Sequence, residues 1–220
     1  MQPTFIHRVL PQTALVDAWL NDLSQLGNSA LTTLKIWPAP ARAKAFARAL
    51  RQPPRVTLLV TDLVEFSSLV TTLGDYAGQK LIQSHNSILR ACLRQHGGRE
   101  VTHTGDGIIA SFGDPVAAAR CAQRIQSSLH AQRARNPEMQ LHARIGLHAG
   151  RPLPEEGRLF GGCVNFAVRV CAQAEADEVL VSDCVRALIS ADFVCEERAP
   201  VLLKGFAGLH KLHALTNGLS

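Results

Sequence analysis

Hydrophobic and polar positions follow two regimes along the chain, and the change falls near residue 55. Before it, a helix is predicted over residues 13–26, closed by Gly27-Asn28, and Trp37-Pro38-Ala39-Pro40 interrupts the chain again. A basic, alanine-rich helix with Arg42, Lys44, Arg48 and Arg51 follows and stops at Pro53-Pro54. It reads as a solvated lead-in; it is short and weakly amphipathic for a helix that lies on a membrane surface.

From Arg55 the pattern sharpens. Residues 56–61 are an apolar, β-branched run, as expected of a central strand buried on both faces. Residues 76–96 carry Leu81, Ile82, Ile88, Leu89, Cys92 and Leu93 on one side of a helix that Gly97-Gly98 ends. Two short strands flank Asp106-Gly107, a hairpin turn signal. Asp114-Pro115 opens a helix that runs to about Arg133, an acidic cap before proline at the first helical position. Leu141, Ala143, Ile145 and Leu147 alternate with His142, Arg144, Gly146 and His148, which predicts a half-buried strand. A loop with Pro152, Pro154 and Gly157 leads to a helix over 163–174. Further strands are expected at Val179–Ser182, 193–195, 201–203 and 210–214.

Strand, helix, strand, strand, helix, strand is the order of a ferredoxin-like α+β unit, an antiparallel sheet with flanking helices, here with C-terminal additions. The expected organisation is a helical extension over 1–54 and one domain over 55–220.

Composition narrows the class. Of 220 residues, 46% are hydrophobic and 19% charged, an ordinary globular balance. No apolar run approaches the roughly 20 residues of a membrane span, and the N-terminus lacks the pattern of a secretory signal, so a cytoplasmic protein without membrane insertion is expected. The six cysteines form no CxxC pair and have mostly apolar neighbours, which predicts buried thiols rather than disulfides or zinc ligands. A net charge of +5 suits nucleic acid or a triphosphate equally. With only 5% aromatic residues and no aromatic RNA-binding strand motif, nucleic acid is the weaker choice. An RNA-binding reading would require affinity that falls steeply with salt.

Two aspartates carry the candidate chemistry. Asp62 ends the first strand and Asp106 lies in the turn between the second and third. In a ferredoxin-like sheet the third strand runs antiparallel beside the first, so the two carboxylates converge at one sheet edge. Such a pair can hold two magnesium or manganese ions about 4 Å apart. Two unrelated turn aspartates are the competing reading.

Five motifs resemble, in order, those of class III adenylate and guanylate cyclases. They are Val60-Thr61-Asp62-Leu63-Val64-Glu65-Phe66-Ser67, Thr104-Gly105-Asp106-Gly107 with the strand after it, Arg144-Ile145-Gly146-Leu147-His148-Ala149-Gly150, Val164-Asn165-Phe166-Ala167-Val168-Arg169, and Leu203-Lys204-Gly205. The resemblance implies that Asp62 and Asp106 bind two Mg²⁺ or Mn²⁺ ions, with the carbonyl of Leu63 assisting. It implies that Arg169 stabilises charge on the α-phosphate, that Asn165 orients the ribose, and that Lys204 and Arg144 hold the distal phosphates. Arg144 could equally be a strand-face arginine paired with an acid. The resemblance also implies a head-to-tail homodimer whose two sites are each built from both chains.

The chain departs from the family at two positions. Adenine readers of this family carry a lysine four residues before the second aspartate and an aspartate seven residues before the ribose asparagine. Thr102 and Arg158 stand there instead. Arginine only donates, which suits a keto oxygen better than an exocyclic amine. Arg158 could read guanine O6 or a pyrimidine carbonyl, touch phosphate, or face solvent. The functional classes are therefore a cyclase, with ATP ahead of GTP or a pyrimidine triphosphate, and a nucleotide-binding regulatory module that has lost catalysis. A diguanylate cyclase is disfavoured: Gly97-Gly98-Arg99-Glu100 is a helix stop and does not match that family's acidic signature. Residues 1–54 could be a dimer brace, an autoinhibitory helix or a docking segment.

Overall fold

The apolar run that begins at Val56 forms the strand around which the sheet is built. The structure, a computed structural model, describes residues 53–136, 140–155 and 157–216. The two helices expected before Pro53 lie outside the described residues. Strand β1 (Val56–Leu63) is followed by helices α1 (Phe66–Leu73) and α2 (Asp75–Gln95), strands β2 (Arg99–His103) and β3 (Ile108–Phe112), helix α3 (Pro115–Arg135) and strand β4 (Ala143–Gly150). Then come β5 (Leu153–Glu155), β6 (Arg158–Phe160), α4 (Gly162–Gln173), β7 (Val179–Ser182), α5 (Asp183–Ile189), β8 (Cys195–Glu197), β9 (Val201–Leu202), β10 (Leu209–His210) and β11 (Leu212–Leu215).

Seven strands form one sheet in the order β2-β3-β1-β4-β7-β11-β8. Its first four members have the ferredoxin-like order, and only the β4–β7 pairing is parallel. Alternation along β1 divides the core. Leu59 and Leu63 join Leu81, Leu89, Ile125 and Val185 on the side of α2, α3 and α5. Leu58 and Val60 face Ala167 and Cys171 of α4 on the other side. That two-sided burial is why β1 reads as a continuous apolar run.

Local signals behave as their chemistry predicts at α2 and α3. Gly97 takes φ 70° after α2, and the N–H of Gly98 reaches the carbonyl of Leu93 at 2.8 Å, a Schellman closure. Asp114 Oδ1 accepts from the N–H of Val116 at 2.9 Å at the start of α3.

Strand β4 differs from the expectation of a half-buried strand, because α4 lies directly on its second face. A Cβ on Gly146 would sit 2.3 Å from the backbone nitrogen of Cys171, and one on Gly150 would sit 2.4 Å from the Cβ of Cys163. Gly146, counted on the polar side of the alternation, and Gly150 beyond it are what lets the helix approach. Leu153–Glu155 and Arg158–Phe160, expected within a proline-rich loop, pair as two antiparallel strands. Helices α1 and α5 have no counterpart in the sequence reading. In α1 the hydroxyls of Ser68, Thr71 and Thr72 bond back to carbonyls three or four residues earlier, a composition that favours turns over helices in isolation. All six cysteines are free, but only Cys92, Cys121 and Cys171 are buried; Cys163, Cys184 and Cys195 are partly exposed.

One buried group makes stability depend on pH. His85 of α2 is fully buried, and neither ring nitrogen has a hydrogen-bond partner among the described residues. Burial outweighs every other influence and pushes its pKa from 6.5 down to about 4. The unfolded chain therefore binds a proton that the folded chain refuses. The stability conferred by a neutral His85 is complete above 6.5 and is lost as pH falls from there toward 4. Between pH 7 and pH 5 the loss is about 2 kcal/mol. Urea titrations at the two pH values should show it, and His85→Leu should lack that part of the slope.

Candidate active site

Asp62 lies near the end of β1, on the face of the sheet that α4 covers, since Leu58 and Val60 share its parity. The register Val60↔Ile109 puts the start of β3, and the turn before it, against this end of β1. The approach is very close. The N–H of Ile108 donates to Thr61 Oγ1 at 3.0 Å, and a Cβ on Gly107 would sit 1.9 Å from the carbonyl oxygen of Thr61. Gly107 is required for this contact, while the left-handed residue of the turn is Gly105, at φ 101°. Asp106, next to Gly107, is thereby held beside the end of β1 that carries Asp62. Both charges reach the thiol of Cys171, which burial first, and the two carboxylates in addition, push up to about 12.

Arg144 stands directly opposite Asp62 across the β1–β4 pairing. Its Nε and Nη2 donate to Asp62 Oδ2 at 2.8 and 2.5 Å. The pairing of this arginine with an acid, one of its two expected roles, is therefore present; the pair is about one-third exposed and stays within reach of a ligand.

Asn165 and Arg169 are one helical turn apart on α4, opposite the buried Ala167, Val170 and Cys171. Lys204 is exposed in the turn between β9 and β10, beside Gly205 at φ 91° and above the buried Leu203. Among the described residues, no hydrogen bond or ion pair joins Asn165, Arg169 or Lys204 to Asp62 or Asp106. Asp62 and Arg144 lie at the sheet edge, Asn165 and Arg169 on the face of α4 away from its buried residues, and Lys204 in an exposed turn. Thr102 lies on β2 opposite Ile109, next to a register irregularity, and Arg158 is exposed on β6, which lies beside β2.

The sequence reading missed Thr61, whose hydroxyl and carbonyl both position the Asp106 turn, and Glu65, which takes φ 54° at the start of α1. A threonine at the end of an apolar strand is an ordinary strand residue, and nothing in a side chain announces a left-handed glutamate.

Comparison with known proteins accords with this arrangement. The family described as "Adenylate and Guanylate cyclase catalytic domain" matches residues 50–217. A putative adenylate cyclase 3 of Rhizobium meliloti is 32% identical over 127 residues, 57% of this chain and 22% of that protein. The chain thus spans about a fifth of that relative's length. The fold resembles that of the adenylyl cyclase CyaB from P. aeruginosa, with a TM-score of 0.69 at 21% identity, covering 75% of this chain and 95% of the other. It also resembles the guanylate cyclase domain of RhGC from Catenaria anguillulae, solved with GTP, at TM-score 0.66 and 19% identity over 76% of this chain and 98% of that one. With an α+β sheet of the same architecture and a family match across all of its strands, the chain belongs to the adenylate and guanylate cyclase catalytic domain family.

Proposed function

We propose that residues 55–220 form the catalytic domain of a nucleotidyl cyclase, which converts a nucleoside triphosphate to its 3′,5′-cyclic monophosphate and pyrophosphate, with residues 1–54 as an extension. The observation that carries the reading is the convergence of Asp62 and Asp106, made possible by the approach of Gly107 to the Thr61 carbonyl.

The residues at this edge fit divalent ions. Their donors are carboxylate and carbonyl oxygens, the hard ligands that Mg²⁺ and Mn²⁺ prefer. Asp62, Asp106 and the carbonyl of Leu63 would hold two ions. Bound there, the ions supply Lewis acidity toward the attacking oxygen and the triphosphate.

The chain's own groups do the rest. Arg144 neutralises Asp62 in the free protein; once that charge is met otherwise, its guanidinium can turn to the distal phosphates, where Lys204 also acts. Asn165 holds the ribose so that its 3′-hydroxyl faces the α-phosphorus. The O3′–Pα bond forms as the bond from Pα to the pyrophosphate oxygen breaks, pyrophosphate leaves, and the hydroxyl proton passes to water. Arg169, which has no partner of its own among the described residues, places positive charge where the α-phosphate gains negative charge.

The working form proposed is a homodimer with two equivalent sites, each taking its aspartates from one chain and Asn165, Arg169 and Lys204 from the other. The hairpin β5–β6 supports this. Its cross-strand neighbours Leu153 and Phe160 are 54% and 61% exposed, an apolar pair free to be covered by a partner.

ATP is the first substrate to expect, since several relatives carry the name adenylate cyclase. Thr102 and Arg158 favour a second reading, in which the base is guanine or a pyrimidine, and the similar Catenaria domain was solved with GTP. No helix of the described residues is long and apolar enough to cross a membrane, and we place the reaction in the cytoplasm.

The test is incubation of purified protein with Mn²⁺ and each of the four ribonucleoside triphosphates, with cyclic monophosphates detected by mass spectrometry. A cyclic product is expected from at least one of them and should be absent with Asp62→Ala. No product from any, with a folded dimer present, would replace the proposal with a regulatory, non-catalytic module.

A further inference from the structure

Cys184 lies apart from the aspartate edge, where β7 runs into α5, and three elements converge on its sulfur. Sγ is 3.5 Å from His148 Nδ1 of β4, 3.2 Å from Ser182 Oγ and 3.5 Å from the carbonyl of Ala149. His148 Nδ1 is also 3.0 Å from Ser182 Oγ, and its ring packs on Phe166 with centroids 4.3 Å apart, which holds the imidazole in place. The cluster opens into a pocket of about 350 Å³ that Phe166, His210 and Lys211 also line. In the same pocket His210 Nε2 is buried and has no hydrogen-bond partner among the described residues.

A thiol between an imidazole and a hydroxyl, facing a cavity, is arranged as a nucleophile. Burial is the largest single influence and pushes this thiol up, but the hydrogen-bond partners His148, Ser182 and Ala149 together with the charge of His148 bring it down to about 6. The charged groups around it leave that balance in place. Asp183 is engaged by His213 of β11 at 3.0 Å, and Lys211 pairs with Glu197 of β8 at 2.9 Å. The other five thiols are all pushed upward by burial.

We propose that Cys184 is a covalent modification site, at which the thiolate attacks a small, carboxylate-bearing disulfide and keeps half of it in the pocket as a mixed disulfide. The Cys184 Sγ–S bond forms as the S–S bond of the reagent breaks. The displaced thiolate leaves and takes a proton from water, so the disulfide is the only oxidant. His210 Nε2, unpartnered in the pocket among the described residues, can donate a hydrogen bond to a carboxylate on the retained half, and the cavity volume suits a group of amino-acid to tripeptide size. The modified sulfur would press on His148 and, through it, on Phe166, the neighbour of Asn165 on α4.

The experiment uses the full chain and glutathione disulfide at pH 6.5, followed by intact-mass and peptide-mass mapping over time. Its readout does not depend on catalysis. At pH 6.5 a thiol with a pKa near 6 is mostly thiolate, a few-hundredfold excess over one near 9; its lower intrinsic nucleophilicity takes back about twentyfold. Cys184 should therefore gain one glutathionyl group about tenfold faster than Cys163 or Cys195, which are also partly exposed. In His148→Phe, which keeps a ring against Phe166, the pH midpoint of the rate should move up toward that of an ordinary thiol. Equal rates at Cys163 and Cys195, or a pH profile unchanged in His148→Phe, would overturn the proposal.

Discussion

Asp62→Ala and Arg169→Ala are each expected to lower cyclase turnover by about 10³-fold or more, and an equal mixture of the two inactive proteins is expected to recover about a quarter of the wild-type rate. The first loss follows from the position of Asp62 at the acidic edge, where its carboxylate and that of Asp106 are the only acidic side chains the proposed mechanism uses. The second follows from Arg169 as the cation aimed at the charge of the transition state. Neither substitution should unfold the chain. Asp62 is about one-third exposed, and its loss frees Arg144, which is itself partly exposed and can be solvated. Arg169 has no partner to lose among the described residues. The recovery is the sharper half of the prediction. If each site takes its aspartates from one chain and its arginine from the other, random exchange makes half of the dimers mixed. Each mixed dimer holds one site with both defects and one with neither. Turnover assayed after subunit exchange decides the matter: a mixture that stays inactive, while exchange is shown with labelled chains, would place both residues in a site belonging to one chain.

Legibility in the sequence followed how locally each feature is encoded. Strand β1, helix α3 and strand β7 were readable because an apolar run, an Asp-Pro start and a short β-branched segment act within a few residues of themselves. The ferredoxin-like order then brought Asp62 and Asp106 together without any side-chain coordinates, since strand order alone decides which strand ends are neighbours. The misread elements depend on contacts distant in sequence. Gly146 looks like the wet side of a strand until Cys171 of α4, some 25 residues later, occupies the space it leaves. Thr61 looks like any strand threonine until the Asp106 turn arrives to use its hydroxyl and carbonyl. The cysteines show the same division. The expectation of buried thiols holds for Cys92, Cys121 and Cys171 but not for Cys163, Cys184 and Cys195, and Cys184 owes its low pKa first to His148, 36 residues away.

Thr102→Lys combined with Arg158→Asp should raise the ratio of kcat/KM for ATP over that for GTP by about 10- to 100-fold. Strand β6 lies beside β2, so the two positions belong to one neighbourhood of the fold, and neither side chain is tied to another described residue. The double substitution therefore acts on the bound base more than on the fold. Lysine is a donor for a ring-nitrogen acceptor, and aspartate is an acceptor for the exocyclic amine of adenine; guanine presents a keto oxygen there, which aspartate would repel. In the native chain, Arg158 can donate to such a keto oxygen but has nothing to offer an amine. A site that leaves one polar group of the wrong base unpaired disfavours that base by about 1–3 kcal/mol, so the expected shift, about 1.4–2.7 kcal/mol, corresponds to one fully changed contact. Steady-state kinetics with both triphosphates, on the native and doubly substituted proteins, give the answer. An unchanged ratio would mean that neither position reads the base and that selectivity, if present, comes from elsewhere in the shared site. A ratio that moves toward ATP would identify Thr102 and Arg158 as the residues that relaxed or redirected the choice of base in this member of the family.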